Sequence, residues 1–286
     1  MVKRYDLNIR DPFILTFEGK YYLYKSDYGK DEDGIIGIEV YVSEDLENFD
    51  GPTKVFRRPE GFWATKDFWA PEVHYYKGSF YLFLSLNAED KHRGTQILKA
   101  SSPFGPFVPH SDCAVTPHEM ECLDGTLYID KNGTPYIVFC NEWTQVVNGR
   151  MYYAELDSDL KAIVGEPKLM FTAKDYPGVR PISRGGYVTD GPFMHRCKNG
   201  DLVMLWSSFG EKGYFEGVLK SDNGEIDGKW IEQKSLFEEN GGHGMLFKDL
   251  NGNLKLSLHY PNSPRGTERA FFYNIKEENG NLSVVD

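Results

Sequence analysis

Hydrophobic residues along this chain recur in short runs of alternating character, and tight polar turns separate the runs in pairs. The stretch "LDGTLYIDKNGTPYIVF", residues 123–139, shows the pattern, with Asn132-Gly133 between two apolar runs. Asn-Gly between such runs is a strong β-hairpin signal. No long stretch has the 3.6-residue periodicity of a helix. The pattern therefore predicts strands and hairpins along the whole chain.

The hairpin pattern occurs five times. The other copies are "RDPFILTFEGKYYLYKS", "APEVHYYKGSFYLFLS", "TDGPFMHRCKNGDLVMLWSS" and "GHGMLFKDLNGNLKLSLHY", and the five begin near residues 11, 71, 124, 190 and 243. A further apolar strand and a polar, turn-rich segment follow each of the first four, so a unit holds about four strands. Repeats of four antiparallel strands are typical of propeller blades. We therefore predict an all-β, five-bladed β-propeller with a central channel, as one catalytic domain over residues 1–286; a large β-sandwich is the alternative.

Composition and charge exclude several classes of function. The net charge is −11 and the Lys and Arg residues are scattered, which argues against nucleic acid as a partner. No stretch approaches the roughly 20 apolar residues of a membrane span, and no signal-peptide run precedes the first repeat. We expect a cytoplasmic protein without a membrane partner, of unpredicted oligomeric state, with four free thiols: Cys113, Cys122, Cys140 and Cys197.

Charged residues stand where the first strand of each repeat begins. These positions carry Asp11, Glu72, Asp124, Asp190 and His243. In a propeller the first strand of each blade lines the channel, so the five side chains should meet at one mouth. Each Asp could instead be an ordinary turn residue, since Asp often precedes Gly or Pro in turns. Converging carboxylates fit glycoside hydrolysis, in which one protonates the leaving oxygen and another activates water, and they also fit a site for Ca²⁺.

Aromatic residues precede the second repeat in "GFWATKDFWAPE". Trp63, Phe68 and Trp69 could stack on the apolar faces of sugar rings. The alternative is packing in the hydrophobic core, which we expect for at least two of the four aromatic residues in this stretch.

These motifs together resemble glycoside hydrolase family 43 over nearly the whole chain. The resemblance rests on "RDPFI", "FWAPEV", "LDGTLYIDKNGTPYIVF", "TDGPF" and "GHG" at the starts of the five repeats. It implies a five-bladed propeller and an inverting hydrolase of α-L-arabinofuranosyl, and to a lesser extent β-D-xylosyl, linkages in oligosaccharides derived from plant hemicellulose. A galactosidase or fructosidase of the propeller type and a non-catalytic sugar-binding propeller are the alternatives.

The resemblance also implies roles for the three aspartates. Asp11 matches the general base, Asp124 matches the carboxylate that orients the acid and tunes its pKa, and Asp190 matches the general acid. The family usually has Glu-Gly-Pro at the third site, whereas this chain has Asp-Gly-Pro. Because Asp is one methylene shorter, Glu142 and Glu216 are reserve candidates for the acid.

Further residues receive weaker assignments from the same resemblance. Glu72 matches a structural or substrate-contacting residue, and Arg269, or Arg265 before it, is expected to reach the substrate. His243 matches a histidine that faces a channel ion, often calcium; the alternative is a hydrogen bond from His243 to Asp11 or Asp124.

Overall fold

Five antiparallel sheets form a ring in the computed structural model, which describes residues 1–26 and 34–285. Each sheet is one blade, and its strands follow one another in chain order from the channel to the rim. The first blade has one extra strand, because the N-terminal strand pairs with the outermost strand of that blade. The predicted five-bladed β-propeller is therefore confirmed.

The strands are numbered β1 to β21 in chain order. Blade 1 contains β1 (Val2–Lys3), β2 (Phe13–Phe17), β3 (Lys20–Lys25), β4 (Gly37–Ser43) and β5 (Asn48–Arg57). Blade 2 contains β6 (Lys66–Tyr76), β7 (Ser79–Ala88), β8 (Lys91–Ala100) and β9 (Val108–Pro109). Blade 3 contains β10 (Cys122–Ile129), β11 (Pro135–Asn141), β12 (Arg150–Leu156) and β13 (Ile163–Thr172). Blade 4 contains β14 (Asp190–Arg196), β15 (Leu202–Gly210), β16 (Gly213–Ser221) and β17 (Trp230–Glu232). Blade 5 contains β18 (Gly242–Lys248), β19 (Leu254–Tyr260), β20 (Arg269–Glu278) and β21 (Asn281–Val285).

Helical structure in the described ranges is confined to single turns. These are α1 (Trp143–Val146) and two 3-10 turns, Arg4–Asp6 and Ala173–Asp175. None of the described helices is long and apolar enough to cross a membrane.

The Asn-Gly hairpin turns form as the sequence predicts, and an Asp fixes those of blades 3 and 5. In the turn between β10 and β11, Asp130 Oδ1 accepts hydrogen bonds from the backbone N–H groups of Asn132 and Thr134, both at 2.8 Å. Gly133 takes the left-handed conformation, with φ of 86°, which glycine adopts without a Cβ penalty. Asp249 plays the same part in the turn between β18 and β19.

The hydrophobic core lies between adjacent blades. The apolar side chains of each sheet face the neighbouring sheet: Phe83 of blade 2 is buried with Phe139 of blade 3, for example, and Trp206 of blade 4 packs edge-on to Phe171 of blade 3. Each blade therefore depends on both neighbours for burial of its faces.

The N-terminal segment joins the first blade to the last. Ile9 donates its backbone N–H to Glu268 O at 3.1 Å, and the buried Arg4 donates to Ala270 O at 3.3 Å. In return, Arg269 Nε donates to Tyr5 O at 2.7 Å. These bonds bring the start of blade 1 beside blade 5, which completes the ring around the channel.

Candidate active site

The innermost strand of every blade is preceded or interrupted by a residue in the left-handed conformation, and in blade 2 Asp67 is left-handed as well, with φ of 56°. The five residues that correspond from blade to blade have φ values between 45° and 55°: Asp11, Ala70, Asp124, Gly191 and His243. In blades 2 to 5 the pairing of the first two strands shifts at this point. Such a bulge re-aims a side chain, although the left-handed conformation costs about 1–2 kcal/mol for a residue other than glycine.

A side chain of the preceding blade holds each of four left-handed residues in place. The acceptor of the backbone N–H is a serine in three cases, with Ala70 bound to Ser26 at 2.8 Å, Asp124 to Ser85 at 2.7 Å and His243 to Ser207 at 2.7 Å. In the fourth case His259 Nδ1 accepts from the N–H of Asp11 at 3.3 Å. All four acceptors are buried, so each bond joins two blades inside the protein.

Blade 4 departs from this arrangement. The position in blade 3 that corresponds to the serines is Cys140, which lies opposite Leu123 as Ser207 lies opposite Asp190. The N–H of Gly191 instead donates to Asp124 Oδ2 at 3.0 Å. One oxygen of the Asp124 carboxylate is thereby fixed by the backbone of the blade that carries Asp190.

The charged residues at the strand starts are not all in equivalent positions, which corrects the sequence-based expectation. Only Asp11, Asp124 and His243 are the left-handed residues of their blades. Asp190 precedes the left-handed Gly191, and Glu72 follows Ala70 by two residues. A side chain at Gly191 would also lie 3.0 Å from the His243 ring.

One cavity at the channel mouth nonetheless brings the main candidates together. It has a volume of about 420 Å³, and Asp11, Asp124, Asp190 and His243 all line it. Other residues of its wall are Arg10, Trp69, Glu142, Trp143 and Arg265.

Asp11 lies among hydrogen-bond donors and cationic groups. Ser26 Oγ donates to Asp11 Oδ2 at 2.8 Å, and His243 Nδ1 lies 3.2 Å from Oδ1. Arg10 Nε is 3.8 Å from the same oxygen. Burial alone would raise the pKa of Asp11, but the opposing charges, first that of His243 and then that of Arg10, together with the Ser26 hydrogen bond, lower it to about 2. Asp11 is therefore ionised at neutral pH.

His259 is a neutral partner of Asp11. Its Nδ1 accepts the Asp11 N–H, and its Nε2 lies 3.0 Å from Asn262 Oδ1. A ring that accepts at Nδ1 and donates at Nε2 is the neutral tautomer. Burial lowers the pKa of His259 to about 4, which agrees with this state. The 3.5 Å approach of His259 Nδ1 to the Asp11 carboxylate is accordingly not an ion pair.

Asp124 and Asp190 have the opposite electrostatic character. Burial, and then the charge of Asp11, raises the pKa of Asp124. Burial, and then the charge of Asp124, raises the pKa of Asp190 to about 7. The cavity thus combines an ionised carboxylate, Asp11, with a carboxyl group that carries a proton near neutral pH, Asp190. Acid–base catalysis by two carboxyl groups requires such a pair.

The two reserve acids differ in location. Glu142 lines the cavity, where it pairs with the buried Arg93, and burial raises its pKa against the effect of Arg93. Glu216 lies beneath the cavity, where it accepts hydrogen bonds from Ser207 Oγ at 2.7 Å and from the N–H of Gly244 at 2.8 Å. Glu216 therefore supports the serine that holds His243 and does not face the substrate.

The structure contradicts two of the predicted assignments to substrate binding. Phe68 is fully buried in the core and stacks on Phe56 with ring centroids 6.1 Å apart, so no sugar reaches it. Arg269 binds the N-terminal segment rather than the cavity, and Arg265 lines the cavity in its place.

The other three residues assigned to substrate binding lie in three different places. Trp69 lines the cavity, under the guanidinium of Arg93 at 4.4 Å. Trp63 lines a neighbouring cavity and donates to Gln96 Oε1 at 2.6 Å. Glu72 is buried on the channel side, where Thr126 Oγ1 donates to it at 2.6 Å.

Sequence reasoning missed two residues of the site. Tyr214 donates its hydroxyl to Asp190 Oδ2 at 3.0 Å and stacks on His259. Trp143 stands on the cavity wall against Gly186, where a Cβ would lie 2.1 Å from the indole ring. Neither residue gave a signal in the sequence, because Gly186 is distant from Trp143 in the chain and Asp190 lies two strands across the blade from Tyr214.

A ring of five blades with three carboxylates at one channel mouth fits a propeller that acts on carbohydrates, because carboxyl groups that converge on one site can catalyse glycoside hydrolysis. The family model described as "Glycosyl hydrolases family 43" matches residues 6–274. The chain belongs to this family, as the sequence analysis predicted.

Several known proteins are similar to this chain over part or nearly all of its length. The crystal structure of an endo-arabinase from Bacteroides thetaiotaomicron is 40% identical, covers 98% of both chains and has a TM-score of 0.89. The extracellular exo-α-(1→5)-L-arabinofuranosidase of Cellvibrio japonicus is 24% identical over 85% of this chain and 72% of its own length. The extracellular endo-α-(1→5)-L-arabinanase 1 of Bacillus subtilis is 22% identical over 38% of this chain. The chain covers only 32% and 37% of the length of two of the curated relatives that it matches.

The hydrogen bond from Tyr214 to Asp190 generates a prediction about pH dependence. An essential general acid must be protonated, so kcat/KM should fall as the pH rises through the pKa of Asp190, near 7. The Tyr214 hydroxyl stabilises the ionised form of Asp190, so Tyr214→Phe should raise that pKa and move the alkaline limb to higher pH.

The measurement is the pH profile of kcat/KM for both proteins. The matched control is Tyr273→Phe, which removes a tyrosine hydroxyl from β20 of blade 5. This variant should leave the pH profile unchanged. An alkaline limb that stays fixed or moves to lower pH in Tyr214→Phe would contradict the assignment of Asp190 as the acid.

Proposed function

We propose that this protein is an inverting glycoside hydrolase of α-L-arabinofuranosyl linkages, with weaker action on β-D-xylosyl linkages. The observation that carries the proposal is the cavity in which an ionised Asp11 and a protonated Asp190 lie together. The arabinofuranosyl preference is supported by the 40% identity to an endo-arabinase and by the names of two curated relatives.

In this mechanism Asp11 is the general base. Its carboxylate stays ionised because His243 and Arg10 stabilise the negative charge. It takes a proton from a water molecule as the water oxygen attacks the anomeric carbon. The single displacement inverts the configuration at that carbon.

Asp190 is the general acid in the same step. It gives its proton to the glycosidic oxygen while the bond from that oxygen to the anomeric carbon breaks. Asp124, which the Gly191 N–H holds in place, raises the pKa of Asp190 through its charge. After the displacement Asp11 holds the proton from water and Asp190 is ionised, and proton exchange with solvent restores both.

The shape of the channel face supports action within a chain of sugars. A second cavity of about 590 Å³, partly lined by Trp63, His92 and Glu121, adjoins the first. Arg93 belongs to the wall of the second cavity and also contacts Trp69 and Glu142 of the first. Two adjoining cavities can hold successive residues of a polymer, so we propose endo action on arabinan-type chains.

A calcium ion beside His243 is a further part of the proposal. A small cavity of about 10 Å³ is lined by His243, Asp11 and Glu72. This volume is about what one water molecule or one small ion needs. Two carboxylates there supply the oxygen ligands that Ca²⁺ prefers, so these residues fit the ion. Positive charge at this point would help Asp11 to remain ionised.

Substrate choice is tested with a panel of aryl glycosides and with linear arabinan. We expect faster release from the α-L-arabinofuranoside than from the β-D-xyloside, and mixed oligosaccharides from arabinan with a rapid loss of viscosity. NMR of the first product should show the inverted anomer. Activity on a galactoside alone, or sugar binding without turnover, would contradict the proposal in favour of another propeller enzyme or a non-catalytic module.

The roles of the two aspartates are tested by changing the leaving group. Asp190→Asn should lose about 10²–10⁴-fold in kcat on arabinan, and the loss should shrink on a dinitrophenyl glycoside, whose leaving group needs little protonation. Asp11→Asn should lose activity on both substrates, because both need activated water. Glu142→Gln is the matched control, and a leaving-group dependence in Glu142→Gln instead of Asp190→Asn would move the acid to Glu142.

The calcium ion is tested by treatment with a chelator. We expect a lower kcat/KM, with recovery on addition of Ca²⁺ and no recovery with Zn²⁺. If kcat/KM does not change after chelation, the ion is not part of the site.

A further inference from the structure

Blade 4 carries a second group of chemically reactive side chains at the end remote from the cavity. Strand β14 begins with Asp190 and ends just before Cys197, with His195 two residues earlier. Residues two apart on an extended strand point to the same side. Glu277 lies near the end of β20, the third strand of blade 5, and its side chain meets the other two between the blades.

The three side chains form a compact set of metal-binding atoms. His195 Nε2, Cys197 Sγ and a Glu277 carboxylate oxygen all lie within 4.8 Å of one another. Among the described residues, this is the group of at least three His, Cys, Asp or Glu side chains whose ligand atoms come this close together. Ligand atoms on a tetrahedral zinc ion are about 3.3–3.8 Å apart, from bond lengths of about 2.0–2.3 Å. His195 Nε2 and Glu277 Oε2 are already 3.0 Å apart, so only small side-chain shifts are needed.

The surroundings favour a structural ion rather than a surface contact. Cys197 is 3% exposed, and the side chains of Glu277 and His195 are 7% and 19% exposed. The backbone N–H of Lys198 donates to Glu277 Oε1 at 2.6 Å, which fixes the carboxylate from behind, as partners of metal ligands commonly do. The partial exposure of His195 leaves room for a water as fourth ligand.

We propose that His195, Cys197 and Glu277 form a binding site for a zinc-class divalent cation that joins blade 4 to blade 5. One nitrogen, one thiolate sulfur and one carboxylate oxygen are ligand types that zinc accepts, whereas calcium takes oxygen ligands. The ion replaces the direct His195–Glu277 hydrogen bond and adds the sulfur of Cys197.

The site is separate from catalysis. His195 lies five positions along β14 from Asp190, a distance of roughly 16 Å at the rise of an extended strand. A bound cation deprotonates a coordinating thiol, and one proton leaves the protein when the ion binds.

The test uses Co²⁺ as a spectroscopic probe of the whole chain after removal of metal with a chelator. We expect a thiolate-to-cobalt charge-transfer band that saturates at one ion per chain and disappears when Zn²⁺ displaces the cobalt. Zn²⁺ should also raise the midpoint temperature of unfolding. A wild-type protein that shows no such band would overturn the proposal.

Two variants and one control assign the band to this site. Cys197→Ser should abolish it, and His195→Gln, at a partly exposed position that is safer for folding, should weaken Zn²⁺ binding at least tenfold. The control is Cys113→Ser, because Cys113 Sγ lies 3.3 Å from His118 Nε2 and is the competing thiol–imidazole pair. A band that survives in Cys197→Ser, or that is lost in Cys113→Ser, would overturn the assignment.

Arabinan hydrolysis separates this proposal from the proposed function. Both Cys197→Ser and His195→Gln should retain kcat at a temperature at which they are folded, since neither residue reaches the cavity. Loss of the cobalt band with full hydrolysis would support the zinc site, whatever substrate the enzyme prefers.

Discussion

The arrangement of the site depends on one repeated interaction: a side chain of one blade accepts the backbone N–H of a left-handed residue at the start of the next. Without the acceptor, a buried N–H would cost about 1–3 kcal/mol, in addition to the penalty of the left-handed conformation itself. Ser85, Ser207 and His259 supply the acceptor for Asp124, His243 and Asp11. Because donor and acceptor belong to different blades, the strained residues are held in place only when adjacent blades pack together, and Asp11 only when blade 5 meets blade 1.

The same contacts give similar carboxylates different chemistry. Asp11 receives the Ser26 hydroxyl and faces Arg10 and His243, and these groups stabilise its charge. Asp190 is only partly buried and has Asp124 as its charged neighbour. Desolvation acts on both groups, so the sign of the neighbouring charge decides which one is ionised and which one holds a proton.

Blade 4 is where the ring departs from its own repeat, and the departure determines the surroundings of Asp190. Cys140 stands where the other blades place serine or histidine, so the Gly191 N–H binds the Asp124 carboxylate instead. Asp190 therefore lies beside the carboxylate that raises its pKa, and Tyr214 donates a hydrogen bond to it from β16, two strands away. These neighbours support the proposal that Asp190 is the acid, although it is shorter than glutamate.

The sequence by itself determined the five repeats, the hairpin turns and the identity of the aspartates at the channel mouth, because these depend on local alternation and on turn residues such as Asn132-Gly133. Only the tertiary structure decided the register of Asp190, the burial of Phe68 and the partners of Asp11. Tyr214 and His259 act across blade boundaries, and no local pattern encodes which side chains face each other there. Burial and charge at the channel depend on ring closure, which brings together residues as distant in the chain as Asp11 and His259.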